Sequence, residues 1–286
     1  MERYLKKIKD FNELVMFEHS IFSLPFIFIA MIVAADGWFG LWLLLLGVLA
    51  AVSARNFAMG LNRYADIDID AANPRTQNRP NVDGRLDSVS IMIFIVVNAL
   101  IFIAVTYMVN SLAFALSVPI LAVLGSYSYF KRFSSMAHVV LGISLGLAPI
   151  AGVIAVLETI PPWSVILSLG VIFWVAGFDL LYSLQDIEFD KENNLYSIPS
   201  RYGAEATLFI SAVFHMLTVI FWALFAWVAD LGFFAFLAVV LSAVMLTYEH
   251  HLVRKDFTKI DRAFFTVNGY LGVVFFFLIV LDRAFA

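Results

Sequence analysis

Asn62-Arg63-Tyr64-Ala65-Asp66-Ile67-Asp68-Ile69-Asp70 follows directly on an apolar run, Phe39 to Leu61, that is long enough to cross a bilayer. If the helix continues through this stretch, Asn62, Asp66 and Asp70 lie one turn apart and stack into a polar stripe roughly 12 Å long. Carboxylates repeating at that spacing at the mouth of a membrane helix suit a hard divalent cation such as Mg²⁺. Asp68 points about 200° away from Asp66 around the helix and is read as a solvated or supporting group. A second series, Asp179-x-x-Tyr182-x-x-x-Asp186-x-x-x-Asp190, closes another apolar run. Facing each other, the two series would hold Mg²⁺ and a diphosphate between them. Carboxylates in a bilayer are costly unless paired or metal-bound, so the repeats read as a site rather than as markers of the water interface.

The rest of the chain supplies the setting. Of its 286 residues 62% are hydrophobic and 14% charged, which excludes a soluble globular domain, and the absence of cysteine excludes disulfide and thiol chemistry. Runs of spanning length fall at 17–35, 39–61, 88–109, 111–130, 136–157, 163–185, 205–229, 231–248 and 263–281. The expectation is an all-α integral membrane protein of nine transmembrane helices, forming one membrane-embedded domain over 1–286. The first run follows Arg3, Lys6, Lys7 and Lys9 as a signal peptide would. It is long, contains Pro25 and lacks a small-residue cleavage site, so it is kept as a span. Sixteen of the 18 Lys and Arg residues lie in 1–16, 62–87, 131–132, 186–204 and 249–262, whereas the connections near Asp36, Asn110, Glu158 and Asp230 carry none. The positive-inside rule then puts the N-terminus and both acidic motifs in the cytoplasm and the C-terminus outside, in an inner (cytoplasmic) membrane. Trp38 and Trp163 fit an aromatic belt at the outer surface.

Other residues have two readings each. Arg55 lies two turns before Asn62 on the same face, where it either snorkels or holds a ligand anion in a cavity; the alignment favours the cavity. Arg75, Arg79, Lys131 and Arg132 serve as topology charges or neutralise a diphosphate leaving group. His19, at the inner end of the first span, is interfacial or part of an acceptor pocket. His250 and His251 are adjacent, cannot both face one metal from a helix, and read as interfacial. Gly142-x-x-x-Gly146 is a close-packing surface for a neighbouring helix. Pro25, Pro119 and Pro149 are expected to kink their helices and widen the interior.

These residues together resemble the UbiA superfamily of intramembrane prenyltransferases. Its first signature is met by Asn62, Asp66 and Asp70, its second by Asp179, Tyr182, Asp186 and Asp190. Its Arg in the second span matches Arg55. Its Arg-Thr-x-x-Arg-Pro segment matches Arg75 to Pro80, and its Tyr-x-x-x-Lys-Arg segment matches Tyr127, Lys131 and Arg132. Within the superfamily the chain resembles the 4-hydroxybenzoate polyprenyltransferase group. Phe17-Glu18-His19-Ser20, Asn62-Arg63 and Asn73-Pro74-Arg75-Thr76 are similar to the branch of futalosine-route menaquinone synthesis. Arg63 and Tyr196 depart from the usual pattern.

The resemblance implies transfer of a polyprenyl group from its diphosphate to an aromatic acid in ubiquinone or menaquinone synthesis. Asp66, Asp70, Asp186 and Asp190 would hold Mg²⁺, with Asn62 and Asp179 assisting. Arg75, Arg79, Lys131 and Arg132 would meet the diphosphate, Arg55 and His19 the acceptor, and Tyr182 the diphosphate or the cation. The implied partners are polyprenyl diphosphate, the aromatic acid and membrane lipid, without nucleic acid. Haem or lipid acceptors within the superfamily, and a cation-coupled transporter outside it, are the alternatives.

Overall fold

The computed structural model describes residues 2–16, 22, 24–257 and 260–285, and gives the backbone alone for 2–5 and 262–264. His19 and the motif around it lie outside the described residues. Thirteen α-helices make up the described chain: α1 (Glu2–Val15), α2 (Leu24–Ala34), α3 (Leu41–Ala65), α4 (Ile67–Ala72), α5 (Ser88–Val109), α6 (Ser111–Phe130), α7 (Ala137–Leu157), α8 (Pro162–Tyr182), α9 (Ile187–Glu192), α10 (Ile198–Val228), α11 (Phe233–Lys255), α12 (Ile260–Arg262) and α13 (Asn268–Ala284). Eight of the described helices are long and apolar enough to cross a membrane, and the first predicted span appears as the shorter apolar α2. The all-helical membrane expectation holds, with nine spans as an approximate count.

The sequence sets the helix ends. The Asp87 carboxylate accepts from the Ser90 amide at 2.8 Å, and the Asn110 side chain accepts from Ala113 at 2.8 Å; both satisfy amides that a helix start leaves unpaired. Ser197 and Ser200 close a reciprocal capping box at the start of α10. Gly203 then breaks that helix with φ 81°, two residues before the apolar run predicted at 205–229. Pro119 and Pro149 do lie inside α6 and α7, but Pro25 does not kink its helix. It sits in the first turn of α2, where its missing amide costs no intrahelical bond.

α8 runs through the middle of the bundle, packed between α7 and α10. A Cβ on Gly142 of α7 would lie 2.4 Å from the Ile172 carbonyl oxygen of α8, and one on Gly177 of α8 would lie 2.3 Å from the His215 ring of α10. The Gly142-x-x-x-Gly146 face is therefore the packing surface expected of it. Behind α8 sits an aromatic core in which Phe26, Trp174, Trp222 and Phe275 are fully buried; Phe26 stacks on Trp222 at 5.2 Å between ring centroids.

The two classes of connection separate onto opposite ends of the bundle. At one end Arg283 reaches Asp36 at 3.0 Å and the Asp230 carbonyl, and Ser111 donates to Glu158. At the other, Arg85 reaches Glu13, and Lys131 and Arg132 reach Asp66 and Asp68. The N-terminal segment, expected only as a carrier of topology charges, is the amphipathic helix α1. Lys6, Lys7 and Lys9 are exposed on it, Leu14 and Val15 are buried, and Phe11 stacks on Phe94 of α5 at 4.7 Å.

Candidate active site

The polar stripe survives the end of α3. Asp66 leaves helical geometry (φ −102°, ψ 13°), yet its amide donates to the Asn62 carbonyl at 3.0 Å and its own carbonyl accepts from the Asp70 amide at 2.7 Å. Register is kept across the bend, so Asn62, Asp66 and Asp70 share a face and are all buried. Asp68 faces outward, with a side chain 63% exposed, as the helical wheel requires. The second series is carried by α8 (Asp179, Tyr182), a 3₁₀ turn Ser183–Asp186, and α9 (Asp190).

The two series line one polar cavity of about 270 Å³. Arg55, Asn62, Asp66, Asp70, Arg75, Arg79, Lys131, Asp179, Tyr182, Asp186 and Asp190 all border it. Three of the motif carboxylates have a cation beside them, two supplied by the connection after α4 and one by the end of α6. Lys131 Nζ is 2.6 Å from Asp66, Arg79 is 2.7 Å from Asp70, and Arg75 forms a bidentate pair with Asp186. Arg75 also donates to the Tyr182 hydroxyl at 3.2 Å and lies 5.5 Å from the centre of its ring. Burial pushes the Asp66 carboxyl up, against the pull of Lys131 beside it.

The connection after α4 is folded onto the stripe. Thr76 donates to the Asp70 carbonyl at 2.9 Å, and Asn81 to the Arg63 carbonyl at 3.1 Å and the Asp70 carboxylate at 3.2 Å. Asn73 bridges the two motifs by donating to Asp186 at 3.2 Å. Arg132 stands apart from the other predicted cations. It does not line the cavity; it pairs with Asp68 at 2.8 Å, caps the Ala65 carbonyl, and stays 3.7 Å from Asp66.

Arg55 and Arg63 close the cavity toward α1. Arg55 Nη2 donates to the carbonyls of Val15 and Met16, and Arg63 Nε to that of Leu14, at 3.0–3.2 Å. A helix C-terminus leaves such carbonyls unpaired and partly negative, so it is a natural partner for a buried guanidinium. Arg63 also donates to Asn62 Oδ1 at 3.2 Å and lies 4.0 Å from Asp70. The sequence marks Arg63 as part of a branch-like detail and as a departure from the usual pattern, without a role in the site, and it gives no signal for His138. That residue opens α7 six positions after Arg132, is buried, borders the cavity, and holds Asp179 at 2.7 Å through Nδ1.

A second cavity, about 190 Å³ and almost wholly apolar, lies between α2, α3, α5, α6 and α7. Arg55, Met59, Tyr127, Leu141 and Leu145 border both cavities, so an apolar tail and a polar head fit end to end.

The donor set fits a divalent metal. Every motif carboxylate offers hard oxygen, and Asp66 Oδ1 is buried without a hydrogen-bond partner among the described residues. No three carboxylate, imidazole or thiol groups among the described residues converge tightly enough to hold an ion by themselves.

Residues 23–280 match the model of the UbiA prenyltransferase family. The 4-hydroxybenzoate octaprenyltransferase of Herminiimonas arsenicoxydans is 28% identical over 256 residues, covering 88% of this chain and 89% of its own. That of Haemophilus ducreyi is 27% identical over 252 residues, covering 88% and 91%. A UbiA homologue from Aeropyrum pernix K1 superposes with a TM-score of 0.84 at 29% identity, covering 93% of this chain and 98% of that one. A UbiA homologue from Archaeoglobus fulgidus, bound to DMAPP and Mg²⁺, shares the fold with a TM-score of 0.75 at 18% identity, over 95% and 99% of the two chains.

Proposed function

The chain belongs to the UbiA prenyltransferase family, and on that premise we propose that it transfers a polyprenyl group from its diphosphate to a carbon of an aromatic acid, 4-hydroxybenzoate or a hydroxynaphthoate, in respiratory quinone synthesis. The observation that carries this reading is the junction of the two cavities. A head lined by paired carboxylates and cations opens onto an apolar trough that suits an isoprenoid chain. The relatives named for 4-hydroxybenzoate support the aromatic acceptor.

Asp66, Asp70, Asp186 and Asp190 are the residues to hold Mg²⁺. The ion, bound there, would neutralise diphosphate oxygens and ease departure of the leaving group. Arg75, Arg79 and Lys131 sit at those carboxylates and are placed to transfer their hydrogen bonds to the diphosphate as its charge grows. Arg132 is assigned to holding Asp68 and the end of α3, from where it also stands 3.7 Å from Asp66. The allylic C–O bond breaks toward diphosphate, the ring carbon forms the new C–C bond, and the ring proton passes to a base at the cavity wall. The walls of both cavities exclude water from the allylic cation meanwhile. Arg55 and Arg63 present positive charge to an acceptor carboxylate. The site faces the cytoplasm in this reading, with the N-terminus inside and the C-terminus outside.

The test is a detergent assay with labelled polyprenyl diphosphate, Mg²⁺ and a panel of aromatic acids. Product with 4-hydroxybenzoate assigns the benzoate reaction, and product only with a hydroxynaphthoate assigns the naphthoate one. Mg²⁺-dependent diphosphate binding without product from any aromatic acid overturns the aromatic acceptor.

A further inference from the structure

His138 is bound to the wall of the polar cavity in a way that no metal or diphosphate contact explains. Its ring is buried, and Nδ1 lies 2.7 Å from Asp179 Oδ2. With Asp179 ionised and the imidazole neutral, the carboxylate can only accept, so Nδ1 carries the hydrogen and Nε2 the lone pair. Nε2 is itself buried and meets no hydrogen-bond partner among the described residues, in a ring that borders the cavity. A buried imidazole oriented by a carboxylate at the cavity wall, with its second nitrogen unpartnered, supplies the base of a proton transfer once an acceptor ring seats against it.

Resting on the prenyl-transfer reading above, we propose that His138 Nε2 is the base that removes the ring proton of the aromatic acceptor, and that Asp179 is the positioning residue that fixes its tautomer and holds the imidazolium it becomes. In the balanced step the ring carbon bonds to the allylic carbon, and diphosphate leaves with the electron pair of the C–O bond. Nε2 then takes the proton from the ring carbon, whose C–H pair restores aromaticity. Asp179 thereby separates from the other motif carboxylates: it lies one turn or more deeper than Asp186 and serves the acceptor rather than the metal.

The experiment compares the wild type with His138→Gln and Asp179→Asn, using 4-hydroxybenzoate or hydroxynaphthoate (whichever the wild type accepts) with light or fully deuterated ring positions. Gln keeps an N–H for Asp179 but cannot take a proton. Turnover of His138→Gln is expected to fall roughly 10²–10⁴-fold with the KM for polyprenyl diphosphate unchanged. Ring deuteration should slow the variant and not the wild type, because C–H cleavage becomes the slow step. Asp179→Asn should show a smaller loss with the same isotope signature, and it carries the test if His138→Gln does not fold. A wild-type rate in His138→Gln, or a loss without an isotope effect in both variants, overturns the assignment of His138 alone. A wild type that prenylates no aromatic acid overturns the functional reading and this inference with it.

Discussion

The bundle holds two buried polar clusters built from the same kinds of residue, and they are wired differently. In the cavity, oppositely charged side chains meet from different segments, Arg75 and Asp186 across 111 residues and Arg79 and Asp70 across nine, and each pair faces an open space. On the far side of α8, Trp174 donates to Asn268 at 2.8 Å, Asn268 donates to Glu249 at 2.7 Å, and the His215 and His250 rings meet nitrogen to nitrogen at 3.0 Å. His215 packs directly against Gly177, and Glu249 is 1% exposed. Neither cavity includes any of these side chains. The first cluster is thus open to a ligand, whereas the second ties helices together, here α8, α10, α11 and α13.

Substitutions should separate the clusters cleanly. The largest effect is expected for Asp66→Ala or Asp186→Ala, each lowering product formation at least ~10³-fold while the melting temperature in detergent stays near that of the wild type. Arg75→Ala should cost about 10²-fold in kcat/KM, because it removes a bidentate partner rather than a metal ligand. Glu249→Ala should do the reverse. It removes the buried carboxylate that accepts from Asn268 at 2.7 Å and is expected to cost about 1–3 kcal/mol of stability, read as a lower melting temperature, with kcat within about twofold of wild type. An inactive but fully stable Glu249→Ala protein would break the distinction between the clusters.

The smallest effect is expected at the surface, between α1 and the connection before α5. Hydrogen bonding from Arg85 holds the Glu13 carboxyl below its usual range. A depressed carboxylate contributes stability that is present above its unfolded value of 4.5 and lost as pH falls below it. The pair is exposed, so Arg85→Ala should remove at most a few tenths of a kcal/mol. Melting scans from about pH 6 to about pH 3 should be slightly shallower in the variant.

Much of this was legible in the sequence, for a physical reason. One-turn repeats of Asp survive as a stripe whatever the bundle does, so Asn62, Asp66, Asp70, Asp186 and Asp190 could be placed on the cavity before any packing was known. The alternation of charged and uncharged connections likewise sorted the two ends of the bundle. Partners fixed by tertiary approach were not legible. Asn73 and Asp186 are 113 residues apart, and His138 becomes informative only when Asp179 is seen beside it. Arg132 looked equivalent to Lys131 and was separated from it by one residue of helical rotation at the end of α6. His250 was read as interfacial because it and the adjacent His251 cannot both face one metal from a helix; α11 continues to Lys255 and turns the His250 ring inward onto His215. Pro25 was misread because the helix start lies just before it.

The docking of α1 reaches further than its size suggests. A short amphipathic segment resting on the bundle buries Leu14 and Val15 and turns its last backbone oxygens toward Arg55 and Arg63, which they hold at the boundary of the cavity. Peeling it away would strand two guanidinium groups in a low-dielectric wall at the same moment. The first turns of the chain thus act as a removable keystone: a bulky N-terminal fusion that prevents their docking would silence an enzyme whose motifs are all intact.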